Sequence, residues 1–144
     1  MYSASIMVDA AEAVSLGRQA RNGGNFTMAR EHYAEAAKTY RDRKDLLAYA
    51  HTIRHIADIF RQERNLTEAK PLYEESLELY RSNLETKLLD LANTVRPYAL
   101  LNEEQGNLDL ARKLWEEARH LYRSLRVEAG VSECDDHISQ LKRC

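Results

Sequence analysis

The sequence predicts an all-α protein: a solenoid of three helical hairpins closed by a seventh helix. Three observations carry that expectation. First, segments recur at spacings of 40 and 42 residues, in register through Asn25, Asn65 and Asn107. Second, each Asn is followed by the same order of residue types. An apolar residue (Phe26, Leu66, Leu108) precedes an alanine (Ala29, Ala69, Ala111), a large aromatic (Tyr33, Tyr73, Trp115), a small residue (Ala36, Ser76, Ala118) and a closing pair (Tyr40-Arg41, Tyr80-Arg81, Tyr122-Arg123). Third, the same offsets hold upstream of each Asn, in the columns Ala13/Ile53/Val95, Leu16/Ile56/Tyr98 and Gly17/Ala57/Ala99. Every repeat therefore contains two helical stretches.

The elements follow in order. The first helix is expected over about residues 6–22, with Ala13, Leu16 and Gly17 near one face and Gly24 in the turn that ends it. The second, about 27–41, opens at Thr27, whose hydroxyl can accept from the free amides of the first turn. It carries Ala29, Tyr33 and Ala36 at i, i+4 and i+7. The third, about 45–62, buries Ile53, Ile56 and Phe60. The fourth, about 67–82, opens at Thr67, and the sixth, about 109–125, at Asp109. The fifth spans about 87–104 and contains Pro97, which removes one backbone hydrogen bond and tends to kink a helix, at a cost on the order of 3 kcal/mol unless accommodated. A seventh helix over about 131–142 has an apolar stripe of Val131, Cys134, Ile138 and Leu141. Asp135, Asp136, Gln140, Lys142 and Arg143 make its polar outer side, as the end of a stack requires. Where Gly17, Ala57 or Ala99 meets the alanine of the partner helix, the backbones can approach closely.

A small-x2-large first helix, a glycine turn, then Ala-x3-aromatic-x2-small in the second resembles the tetratricopeptide repeat (TPR). Leu16-Gly17 and Gly24-x4-Ala29-x3-Tyr33-x2-Ala36 carry the likeness, which covers about residues 10–126. The long spacing, as in Leu47 to Tyr80, is similar to the variant found in kinesin light chains. The resemblance implies a right-handed superhelix forming one domain over residues 1–144, with repeats at about 6–41, 45–82 and 87–125. Three positions depart from the pattern. Asn102 stands in the column of Ala20 and Phe60, Arg64 replaces the turn glycine, and the proline that often ends a repeat is missing.

Composition narrows the function classes. At a net charge of -2 there is no excess of Lys and Arg to neutralise a nucleic-acid backbone. No window approaches the 18 or so apolar residues that span a membrane, and the N-terminal stretch lacks the pattern of a secretory signal, so a cytoplasmic location is expected. Cys134 and Cys144, ten residues apart, would lie about 15 Å apart on one helix and cannot pair there. Asn25-Phe26-Thr27 and Asn65-Leu66-Thr67 read as glycosylation sequons, yet turn and cap geometry explains the same residues.

Chemistry is sparse. His51-x3-His55, with Asp58 one turn on, places two imidazoles and a carboxylate on one helical face, a remote option for a metal-dependent site. The Glu that a His-Glu-x2-His motif needs is missing, and no phosphate loop or nucleophile elbow occurs, so neither enzyme nor cofactor is expected. Arg54 and Asp58 read as an exposed i, i+4 pair. The expected function is protein–protein interaction, because the resemblance implies a concave groove lined by first helices that holds a peptide or partner segment. Its columns fall at Val14, Arg18, Arg21 and Asn22; at His51, Arg54, His55, Asp58, Arg61 and Gln62; and at Asn93, Arg96, Leu100, Glu103 and Glu104. The first two repeats are basic and the third ends acidic, so an acidic or C-terminal segment is the expected ligand. Val14 stands where a chaperone-tail clamp would need Lys. Self-association through the groove or the terminal helix is the competing expectation.

Overall fold

The computed structural model describes residues 9–142. Among them are seven helices and no strand: α1 (Ala10–Asn22), α2 (Phe26–Asp42), α3 (Leu46–Gln62), α4 (Leu66–Arg81), α5 (Leu88–Glu104), α6 (Leu108–Ser124) and α7 (Glu128–Lys142). They gather into two compact units, one running to Leu79 and the other starting at Tyr80.

In the N-terminal unit the column aromatics are the centre of packing. Tyr33 is buried with Ala29, Ile56 and Ile59, and Leu72 of α4 lies against the same cluster. Ala10 and Ala13 of α1 pack on Ala36 of α2. Ala37, Tyr49 and Ile53 form a further patch, which Leu72 and Leu79 cover. Gly17 shows why its column is small: a Cβ there would sit 2.9 Å from the Tyr33 ring. In the C-terminal unit, Val95, Ala99 and Leu101 of α5 are buried, as are Trp115 and Ala118 of α6 and Cys134, Ile138 and Leu141 of α7. Val131, expected in that stripe, is only half-buried. Two buried threonines, Thr52 and Thr94, stand in one column and turn their hydroxyls back to the carbonyls of Ala48 and Asp90, which satisfies them inside the helix.

Five of the interhelical turns share one geometry. A residue in the left-handed region, at Gly24, Lys44, Arg64, Gly106 or Arg126, is followed by the residue that precedes the next helix. In the first, the Asn25 amide donates to the Ala20 carbonyl at 2.8 Å and the Gly24 amide to Arg21 at 3.0 Å. The pair recurs at Asn65 with Arg64 and at Asn107 with Gly106. Such 6→1 and 5→2 bonds close the last turn of a helix and reverse the chain within three residues. Arg64 thus keeps the glycine geometry of its column, with φ of 65°.

The cap positions differ from expectation by two residues. Asn25 and Asn65, rather than Thr27 and Thr67, accept from the first-turn amides, at Met28 (3.1 Å) and Glu68 (3.4 Å). The reversal brings each Asn to the cap, and the threonines fall inside the first turn. Asn107 precedes α6 without a side-chain cap bond, and its side-chain nitrogen donates to the Asn102 side-chain oxygen at 3.2 Å. Asn102 in turn donates to the Tyr98 carbonyl, so the buried polar residue in an apolar column has a partner at both its nitrogen and its oxygen. At the other end, Asp9 caps α1 by accepting from Glu12, so the helix starts at Ala10; the expected start near residue 6 lies outside the described residues. α7 begins three residues earlier than expected, because the turn through Arg126 leads straight into it. The change of spacing from 40 to 42 has a local cause. α2 and α3 are joined by 43–45, whereas 82–87 joins α4 to α5, and Lys87 precedes α5 with no side-chain cap bond. Pro97 lies inside α5, which is one continuous helix.

Candidate protein-interaction faces

Many polar side chains of the first helices are paired, mostly with groups on the helices that follow, and in the second and third repeats the pairing follows one column. The column Arg21/Arg61/Glu103 lies twelve residues before the buried aromatic. In the second repeat Arg61 donates to the Tyr73 hydroxyl at 3.4 Å, and that hydroxyl donates to Asp58 at 2.5 Å. In the third the aromatic is Trp115, whose indole offers a donor and no acceptor, and the column residue is Glu103, which accepts it at 3.0 Å. The acidic end expected of the third repeat is therefore partly an internal requirement of Trp115.

Asp58 is the clearest correction. Expected on an open groove, it is 5% exposed, held by the Tyr73 hydroxyl and by Arg54 at 2.8 Å. The Arg54–Asp58 pair is accordingly a half-enclosed contact, not the exposed i, i+4 pair the spacing suggested. Its carboxylate faces Tyr73 and Arg54, so the metal constellation His51, His55 and Asp58 is not assembled. The two imidazoles meet ring to ring instead, 4.7 Å apart and edge-on. His55 also lies parallel to Tyr33, at 5.4 Å and 6°. Burial, then the charges of Arg54, His51, Arg21 and Arg18, push the His55 pKa down to about 2, so this imidazole is neutral at physiological pH. Burial raises the Tyr33 hydroxyl against the opposing pull of Arg18, Arg21 and Arg54. The charges of Arg18, Arg21 and Arg54 thus act on both members of the Tyr33–His55 stack. Arg18 is exposed, Arg21 donates to Gln62 at 2.8 Å, and Asn22 is exposed at the end of α1.

The C-terminal unit brings Asn93, Arg96 and Glu103 together with residues of α6 and α7 that the groove columns did not include. Asn93 accepts from the Tyr122 hydroxyl at 2.7 Å. Arg96 holds Glu133 with two bonds, at 2.5 and 2.8 Å, and this keeps the Glu133 carboxyl below its usual range. His137 bonds Glu103 through Nδ1 at 2.9 Å and stacks on Trp115 at 4.1 Å. A cleft of about 500 Å³ lies among Asn93, Arg96, Tyr122, Gly130 and Glu133. Leu100 is half-buried and Glu104 exposed. The missed partner His137 carried a signal: it follows Trp115 by 22 residues, the interval by which His55 follows Tyr33. That interval marks the helix after the aromatic.

No family model matches the chain. No curated protein matches it either. Solved structures that resemble it include BtubC (BKLC) from P. vanneervenii, a kinesin-light-chain-like helical-repeat protein, with a TM-score of 0.68 and 17% identity over 93% of this chain. The chain spans 63% of that protein's length. Likeness at this identity is likeness of fold, and the fold is a TPR-like all-α helical repeat.

Proposed function

We propose that the chain is a non-enzymatic protein-interaction module whose N-terminal unit holds an acidic segment of a partner protein. The observation that supports it is the positive charge that α1 and α3 bring to bear on His55, from Arg18, Arg21, Arg54 and His51, together with the exposed Arg18 side chain, while Asp58 is the carboxylate in contact with Arg54. Guanidinium forks fit carboxylates with paired hydrogen bonds, and a helical-repeat scaffold presents them on rigid elements. Arg96 is a poorer candidate, since Glu133 already fills its fork.

The experiment is a titration with a labelled hexaglutamate peptide at low and high salt. Wild type binds, and binding weakens as salt rises. Arg18→Glu with Arg21→Glu abolishes it while the melting temperature stays close to wild type, because neither guanidinium bonds a buried carboxylate. Unchanged binding in that double variant overturns the reading. Arg54→Glu is unsuited to the purpose, since it would set a carboxylate beside Asp58.

Self-association is a second reading with its own observation. Leu84 is fully exposed, at 103%, and Leu88 and Leu89 at the start of α5 are 48% and 44% exposed. Light scattering after size exclusion separates the two: a concentration-dependent dimer that Leu84→Ser with Leu88→Ser dissolves would favour self-assembly.

A further inference from the structure

We infer that the trough between α6 and α7 seats an acidic amphipathic helix of a partner protein, in the manner in which α4 lies on α2 and α3. The inference concerns the C-terminal unit and is independent of the reading given to the N-terminal one.

The repeat itself supplies the precedent. Trp115 follows Tyr33 by 82 residues, and the same offset carries α2 and α3 onto α6 and α7, through His55 and His137 and through the left-handed residues Lys44 and Arg126. In the N-terminal unit, Leu72 and Leu79 of α4 pack on Ala37, Tyr49 and Ile53, and Leu72 also packs on the cluster that holds Ile56. Glu75 of α4 accepts from the Tyr49 hydroxyl at 2.8 Å, and Ser76 donates to the Ala50 carbonyl at 2.9 Å. The equivalents of Tyr49, Ile53 and Ile56 on α7 are Val131, Asp135 and Ile138. Two open clefts lie there. One, of about 430 Å³, is lined by Glu116, Arg119, His120, Arg123, Ile138 and Lys142. The other, of about 460 Å³, is lined by Arg123, Arg126, Glu128, Val131 and Ser132. Arg123 belongs to both, so the two join into one trough whose walls are α6, α7 and the turn between them.

Charge selects the occupant. At this offset Ala37 is replaced by Arg119, Ile53 by Asp135 and Phe60 by Lys142. Arg119 and Asp135 pair at 2.5 Å, which gives the end of the stack a polar face without net charge. Arg123 and Lys142 exceed that need: both are exposed, and neither makes an ion pair with a described residue. Glu116, the carboxylate that lines the same cleft, lies 4.0 Å from Arg112. Two cations therefore stand beside the apolar side chains Ile138 and Val131, and a guanidinium fork fits a carboxylate with paired bonds. Val131 and Ile138 are seven residues apart, about 10.5 Å along a helix, as are Leu72 and Leu79 on α4. A helix with apolar residues at i and i+7 and carboxylates beside them matches both the spacing and the charge.

The test uses the full chain and a helix-stapled peptide of residues 66–81, which carries Leu72, Leu79 and the carboxylates of Glu74, Glu75 and Glu78. A second peptide has those three glutamates changed to glutamine. The Val131 and Ile138 methyl signals are followed by NMR beside those of Ile53 and Ile56, and affinities are measured by calorimetry. The acidic peptide should move the Val131 and Ile138 signals and bind at least fivefold more tightly than the glutamine peptide at low salt, with the gap closing as salt rises. Arg123→Gln with Lys142→Gln should erase that difference while the melting temperature stays close to wild type. Equal affinity for the two peptides, absence of binding, or shifts at Ile53 and Ile56 without shifts at Val131 and Ile138 would each overturn the inference. A full-chain dimer that the same double variant dissolves would overturn it in favour of a second copy of this chain as the occupant.

Discussion

The Trp115 indole donates to Glu103 at 3.0 Å, in the place where the preceding repeat has Arg61 donating to the Tyr73 hydroxyl. A tyrosine hydroxyl both gives and takes a hydrogen bond, so it can sit between Arg61 and Asp58. An indole only gives. The exchange of Arg for Glu in one column therefore accompanies the exchange of Tyr for Trp in another, and Leu100 replaces Asp58 because no second acceptor is needed.

That coupling is measurable. Glu103→Arg should destabilise by about 1 to 3 kcal/mol, because the buried indole N–H loses its acceptor. Trp115→Tyr in the same chain should recover part of the loss. Urea unfolding of both single variants and the double gives the interaction term, expected at about 0.5 kcal/mol or more. Strict additivity would mean the column exchange is incidental.

Stability should depend on pH through His55. Its folded pKa is lowered to about 2, chiefly by burial, while the unfolded imidazole takes a proton near its ordinary value of 6.5. The unfolded state thus binds more protons below that value. The contribution of His55 is complete above about pH 6.5 and is lost as pH falls, by up to about 1.4 kcal/mol per pH unit. His55→Phe keeps a ring against Tyr33 and removes the proton. Its denaturation midpoint should be flatter than wild type between about pH 6.5 and 5, above the range of ordinary carboxyl titration. Identical slopes would show that His55 is protonated in the folded protein.

Gly130 and Gly24 should respond differently to alanine. A Cβ at Gly130 would lie 2.6 Å from the Tyr122 ring, so Gly130→Ala should cost about 1 to 3 kcal/mol through overpacking. At Gly24 the space is open and φ is +82°, so the cost of about 1 kcal/mol comes from the backbone alone. Thermal melts rank the two, and a harmless Gly130→Ala would mean that α7 shifts freely on α6.

Arg64 occupies the same turn position with φ of 65°. Arg64→Gly relieves a strain of about 1 to 2 kcal/mol but adds freedom to the unfolded chain worth roughly 0.5 to 1 kcal/mol. The net change expected in denaturant unfolding is between zero and about 1.5 kcal/mol of stabilisation. Clear destabilisation would show that the Arg64 side chain outweighs its backbone strain.

The sequence by itself determined most of the helices, because local chemistry sets most turns: a left-handed residue in five of them, a capping Asn or Asp in three of those, and apolar residues at helical period on either side. The columns Tyr33/Tyr73/Trp115 and Gly17/Ala57/Ala99 named the buried side from spacing alone, since a helical face is defined by every third or fourth residue. The cap shift from Thr27 to Asn25 was beyond reach, since both residue types cap and only the reversal through Gly24 decides which is first. Tertiary structure alone decided which polar residues stay open. Arg18 and Asp58 stand in one column, yet Arg18 is exposed and Asp58 is buried beneath Tyr73. The partners of Asp58, Arg96 and Glu103 include residues 15, 37 and 34 positions away, on other helices. A polar side chain on an amphipathic helix reads as exposed until a donor from another helix is packed against it, and that packing is long-range, outside what a helical period records.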